Sequence, residues 1–135
     1  MPFATKSQGL SERFAQTNET EKEKTMTQTA TSHDTCIQNC HECQVTCAQM
    51  LSEHCLKEGG DHTQQDHVKA MLDCIAACAA CVDFMSRNSD HHSLYCKACA
   101  EICRACADSC ENVVGMDKCV EACRACAETC GAMAA

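Results

Sequence analysis

The chain places thiols where a helix would normally place leucines. In "CIQNCHECQVTC", Cys36, Cys40, Cys43 and Cys47 follow one another at steps of four, three and four. The rhythm returns at Cys74, Cys78 and Cys81, at Cys96, Cys99, Cys103, Cys106 and Cys110, and at Cys119, Cys123, Cys126 and Cys130. With Cys55 these make 17 cysteines in 135 residues. A deprotonated thiol is a soft, anionic ligand, so the chemistry such a run can do is metal binding, disulfide formation or thiol redox.

Spacing separates these options. On a helix, residues three or four apart have Cβ atoms roughly 5–6 Å apart, whereas a disulfide needs about 3.5–4.5 Å. Bridges within a helix would be strained, and 17 is an odd number. Iron–sulfur ligands come at C-x2-C spacings, often followed by Pro, but these cysteines start C-x3-C and the sole Pro is Pro2. Zn²⁺ takes four convergent ligands in a closed tetrahedron, which two C-x3-C pairs on facing helices supply. An unbroken ladder, without gaps between quartets, suits Cu(I) better, since that ion is soft and accepts thiolate and thioether together. Each Cu⁺ replaces one thiol proton, so a neutral core takes on the order of one ion per thiol, or about 17.

Helices must carry the ladder, because a period of two would send a 4-3-4 pattern to opposite faces of a sheet. Four helical segments are expected, at about 33–57, 63–87, 90–114 and 117–133. Gly59 or Gly60 should close the first, Ser89 or Asp90 should open the third, Gly115 should end it, and Asp117 should cap the fourth. The connections are short, so the fold expected is all-α, an antiparallel up-down-up-down four-helix bundle with a cysteine-lined core. One face of each segment reads, in turn, Cys36-Cys40-Cys43-Cys47-Leu51-Cys55, His67-Met71-Cys74-Cys78-Cys81-Met85, His92-Cys96-Cys99-Cys103-Cys106-Cys110-Val113 and Met116-Cys119-Cys123-Cys126-Cys130-Met133. Glu, Lys, Arg, Gln and Asp fill the faces between. Residues 1–31 are polar and are expected to form a disordered tail, leaving 32–135 as the metal-binding domain.

Composition supports an unusual interior. There is no Trp, one Tyr and three Phe. Cysteine and alanine alone would underfill a core, so something is expected to occupy the tube. The net charge of −8 argues against nucleic acid and anionic membrane. No run reaches a membrane span, and the first residues lack the apolar stretch of a secretory signal. A cytosolic location is therefore expected, where thiols stay reduced and a high cysteine count points to metal.

In an antiparallel bundle His54, Cys55, His62, His67, Met71, Met116 and Cys119 gather at one end. His33, Cys36, Met85, His91, His92, Cys130 and Met133 gather at the other. The first group is richer in His and Met and is favoured as the metal mouth, with His54, His67, Met71 and Met116 as ligands beside the cysteines. His62 and His91 fall in loops, Met85 and Met133 are equally suited to plugging the core, and His41 faces solvent.

These motifs, with "HCLKEGGDHTQQDHVKAMLDCIAACAAC", "CKACAEICRACADSC" and "CVEACRACAETC", resemble the cysteine-rich four-helix-bundle copper storage proteins of the cytosolic branch, over about Ser32 to Met133. The resemblance implies storage or sequestration of many Cu(I) ions along the bundle interior, a homotetramer, and exchange with a copper chaperone. It implies no enzyme. The rivals are a zinc or general metal sequestrant and a thiol redox protein. No cysteine has the activating Lys or helix N-terminus that the redox reading needs.

Overall fold

The computed structural model describes the backbone of residues 28–134 and the side chains from His33. Most of the polar N-terminal segment, residues 1–27, lies outside the described residues. Among the described residues there are four long α-helices: α1 (Gln28–Gln49), α2 (Gln65–Ser86), α3 (His92–Glu111) and α4 (Asp117–Met133). Helix α1 begins at Gln28, a few residues inside the segment expected to be a tail, since nothing from Gln28 to Ser32 breaks a helix.

The helices close into an antiparallel up-down-up-down bundle. The sulfur of Cys36, early in α1, lies 3.6 Å from Cys130, late in α4. Cys81, late in α2, lies 3.6 Å from Cys96, early in α3. On the outside of the α1–α4 seam, Asn39 donates to the Ala125 carbonyl at 3.4 Å. Between α3 and α4 the seam is lined by Ala100, Ala107 and Ala127, all buried, and these small side chains let the two helices approach closely. The α2–α3 turn is clasped by Phe84 stacked on Tyr95, with ring centroids 3.9 Å apart, and by the Arg87 guanidinium 4.6 Å from the Phe84 centroid.

Helix α1 does not end as a regular helix. It passes into a π-helical segment, Met50–Cys55, and then a last turn at Leu56–Glu58. The stripe explains this. The other three helices alternate steps of three and four, but after Cys43 the first reads Cys47, Leu51, Cys55 in steps of four. On a 3.6-residue helix, the two steps from Cys47 to Cys55 overshoot by about 80°. Widening the turn keeps Leu51 and Cys55 inside, and both are buried.

The ends follow backbone chemistry more than side-chain caps. Gly59 and Gly60 have φ of 70° and 58°, the left-handed conformation expected after α1. Helix α3 stops at Glu111 rather than Val114, and Gly115 makes the turn at φ 86°. His91, not Ser89 or Asp90, is the residue before α3, and Ser89, two residues earlier, accepts from the His91 N–H at 3.0 Å. Met116, not Asp117, is the residue before α4, and Asp117 supplies negative charge in the first turn.

Candidate metal centre

All 17 cysteines are free and buried. Burial follows from the stripe: each thiol sits at a position facing the other helices. The sulfurs touch. Cys40 and Cys130 are 3.3 Å apart, Cys43 and Cys74 3.4 Å, Cys103 and Cys126 3.5 Å. Contacts also cross the bundle diagonally, from α2 to α4, at 3.7 Å between Cys78 and Cys126 and 3.8 Å between Cys81 and Cys130. The thiols pack on one another along the bundle axis, joined by S–H···S contacts.

Five quartets of thiols have sulfurs within 4.8 Å of one another. They form a ladder along the axis. The quartet Cys36–Cys40–Cys81–Cys130 shares Cys40 and Cys130 with the next, which contains Cys99 and Cys126. That one shares Cys99 and Cys126 with a third, holding Cys78 and Cys103. The third shares those two with a fourth, holding Cys43 and Cys74, and the last adds Cys47 and Cys123. Cys55, Cys96, Cys106, Cys110 and Cys119 stand outside the quartets.

Shared protons set the acidity of these thiols. Cys130 is held down to about 6, chiefly by its hydrogen bond with Cys126, 3.8 Å away. Cys110 is held down to about 4 by its hydrogen bond with Cys106, then by that with Cys119. Their partners move the other way. Cys126 is pushed up by its bonds to Cys103 and Cys130, and Cys78 by its bonds to Cys103 and Cys126. Cys55 is pushed up by burial, then by the charge at Cys110. A proton shared between two sulfurs favours thiolate on one and thiol on the other.

The ends of the ladder carry other donors. Where α1 meets α2 and α3 meets α4, the Cys55 thiol donates to Met116 Sδ at 3.6 Å and lies 3.7 Å from His67 Nε2. His67 is 3% exposed, and Met71 and Met116 are fully buried. His67 Nδ1 is 2.9 Å from Ser109 Oγ. That contact fixes the ring, and with Nδ1–H donating, Nε2 turns its lone pair towards Cys55. Ser109 carries no signal in the sequence, being one residue off the stripe. His54 is set apart from this trio. It is partly exposed, its ring meets His62 edge-on with centroids 4.9 Å apart, and its Nε2 occupies the space a side chain at Gly115 would need. At the opposite end the Cys96 thiol donates to Met85 Sδ at 3.4 Å. His41 and His91 are exposed.

No helix among the described residues is long and apolar enough to cross a membrane. No curated protein sequence matches the chain. Solved structures do. The Nmul_A1745 protein from Nitrosospira multiformis is 43% identical, with a TM-score of 0.77 over 78% of this chain and 96% of that one. The Cu(I)-bound copper storage protein BsCsp3 is 31% identical, with a TM-score of 0.71 over 77% and 99%. The apo copper storage protein 3 from Bacillus subtilis is 30% identical, with a TM-score of 0.68 over 76% and 98%. The family model Csp, copper storage protein, matches residues 28–135. With the sulfur ladder inside a four-helix bundle, this match makes the chain a member of the copper storage protein family.

Proposed function

We propose that the chain stores copper as Cu(I), many ions per molecule, on the thiolates of its core. The observation that carries this is the sharing of sulfurs between successive quartets. A discrete ion site keeps four ligands to itself. A ladder in which each quartet shares two sulfurs with the next calls for bridging sulfurs, and a soft monovalent ion satisfies it without leaving net charge in the core. BsCsp3, a relative with Cu(I) bound, supports the metal assignment. All 17 cysteines are the ligands in this reading. His67, Met71 and Met116 line the mouth, and His54 stands at its rim.

Zinc is the second reading, because the sulfur separations of 3.3–4.0 Å also bracket the roughly 3.8 Å edge of a tetrahedral site with Zn–S near 2.3 Å. Only three of the five quartets can be filled without sharing a ligand, namely those of Cys36, Cys47 and Cys78 with Cys99. Each would hold four thiolates around one divalent ion, leaving two negative charges buried.

The thiols are buried beyond the reach of a peroxide or disulfide substrate, which supports a binding protein rather than a redox enzyme. The metal-binding domain is residues 32–135, with 1–31 as an appendage. The resemblance supports a cytosolic homotetramer that exchanges copper with a chaperone. The test is a direct comparison of capacity. Reduced apoprotein should take up more than about ten Cu(I) ions but only about three Zn²⁺ ions. Equal saturation with both metals at three would replace the copper reading by the zinc one.

A further inference from the structure

The end of the bundle where α2 turns into α3 carries the donors of a mouth as well. Met85 is 1% exposed, and its thioether accepts from the Cys96 thiol at 3.4 Å. From Cys96 the sulfurs run on without a gap: 3.6 Å to Cys81, then 3.8 Å to Cys130, then 3.3 Å to Cys40. This path leads straight into the first quartet. Outside Met85 sit two imidazoles. His33 Nε2 is 2.9 Å from the Met85 carbonyl oxygen, so its ring rests on that residue's backbone. The His92 ring meets it edge-on, with centroids 5.6 Å apart. His92 is partly exposed, but its Nδ1 is buried and has no hydrogen-bond partner. A buried, unpartnered ring nitrogen costs free energy that a bound cation would recover.

The order of donors from outside to inside is imidazole, thioether, thiol. At the other end the same three donor types meet, with His67 Nε2 and Met116 Sδ both against the Cys55 thiol. Neutral donors hold Cu(I) less firmly than thiolates do, because they contribute no charge to neutralise the ion. A neutral-to-anionic gradient moves an ion inward and still lets it leave. A core with one mouth needs one such gradient, and this core has two.

We propose that Met85, with His92 outside it and Cys96 inside it, forms a second copper port, so that the ladder exchanges Cu(I) at both ends. The proposal rests on the copper-storage reading of the core. The test uses the full chain loaded with Cu(I), and measures the rate at which an excess of a Cu(I) chelator removes the metal without oxygen. Met85→Leu and Met116→Leu conserve volume and remove one thioether each. With two ports in parallel, each single variant slows removal about twofold, and the double variant slows it about tenfold, as loss of a weak ligand on both paths requires. If Met85→Leu leaves the rate unchanged and the double variant behaves as Met116→Leu alone, the port does not exist. A second readout does not depend on rate. As Cu(I) is added, the methyl NMR signals of Met85 and Met116 should both shift late in the titration, once the thiolates that hold the ion more firmly are filled. A Met85 methyl that stays in place while that of Met116 shifts overturns the proposal. A wild-type protein that takes up only a few ions would instead overturn the storage reading, and capacity is measured first.

Discussion

The two halves of the sulfur ladder differ in how tightly they are built. Towards the α2–α3 turn, the aromatic clasp of Phe84, Tyr95 and Arg87 holds the helices, and every thiol but Cys96 belongs to a quartet that shares sulfurs with the next. Towards the other end, α1 opens into a π-helical turn, two glycines follow in the left-handed region, and Cys55, Cys106, Cys110 and Cys119 belong to no quartet. The cause lies in one helix. Three helices keep the 3-4 alternation throughout, and the first loses it after Cys47. Where all four stripes are in phase, sulfurs pack in shared quartets. Where one slips, they spread, and His67, Met71 and Met116 come in among them.

Metal loading should have the largest effect on this contrast. Every bound ion stabilises the folded state, by ~4 kcal/mol for a site at a thousandfold excess over its Kd. Copper-loaded protein should therefore melt tens of degrees above the apoprotein, an upper end of what linkage allows for several sites. Differential scanning calorimetry of both forms measures it. Similar Tm values would mean that the metal is held outside the folded core.

Single thiols should then distinguish the halves. Cys78 is shared between two quartets, so Cys78→Ser should remove about two ions from the capacity, whereas Cys119→Ser should remove about one. Copper counted per chain after gel filtration gives the answer. Equal losses would mean that the quartets do not share copper and would dissolve the distinction between dense and loose halves.

Smaller effects sharpen the account of the loose end. Gly115→Ala forces a side chain into a φ of 86° and places its Cβ 3.2 Å from His54 Nε2. It should cost about 1–2 kcal/mol of stability without changing copper capacity, as read by denaturant unfolding of the apoprotein. Deleting the exposed Gln49 should cost least. It turns the steps after Cys47 from four and four into three and four, which restores the alternation and lets α1 continue as a regular helix. Stability and capacity should stay close to wild type. A large loss would show that the wide turn itself, rather than the stripe, is what the loose end requires.

Most of this was legible in the sequence because one periodicity carried it. The stripe gave the bundle, the inward thiols, and the burial of His67, Met71, Met85 and Met116. The π-helical turn was not foreseen within the helix expected over 33–57, although the steps of four from Cys43 to Cys55 carry its signal when set beside the other three helices. The sequence could not show that the thiols would pack on each other, because that depends on how closely the helices approach across Ala100, Ala107 and Ala127. Nor could it show Ser109 behind His67, or His33 resting on the Met85 carbonyl. Those contacts join residues far apart in the chain and follow from the rotation of each helix. The weighting of the two ends by their count of His and Met also hid how similar they are in donor types.

The most direct test of the central claim is the anaerobic titration of reduced apoprotein with Cu(I) against a competing chelator, with metal and released protons counted together. A neutral, sulfur-bridged core should take up more than about ten ions and release about one proton for each. Saturation at one to four ions, or uptake without proton release, would contradict a store built on the thiols of the core.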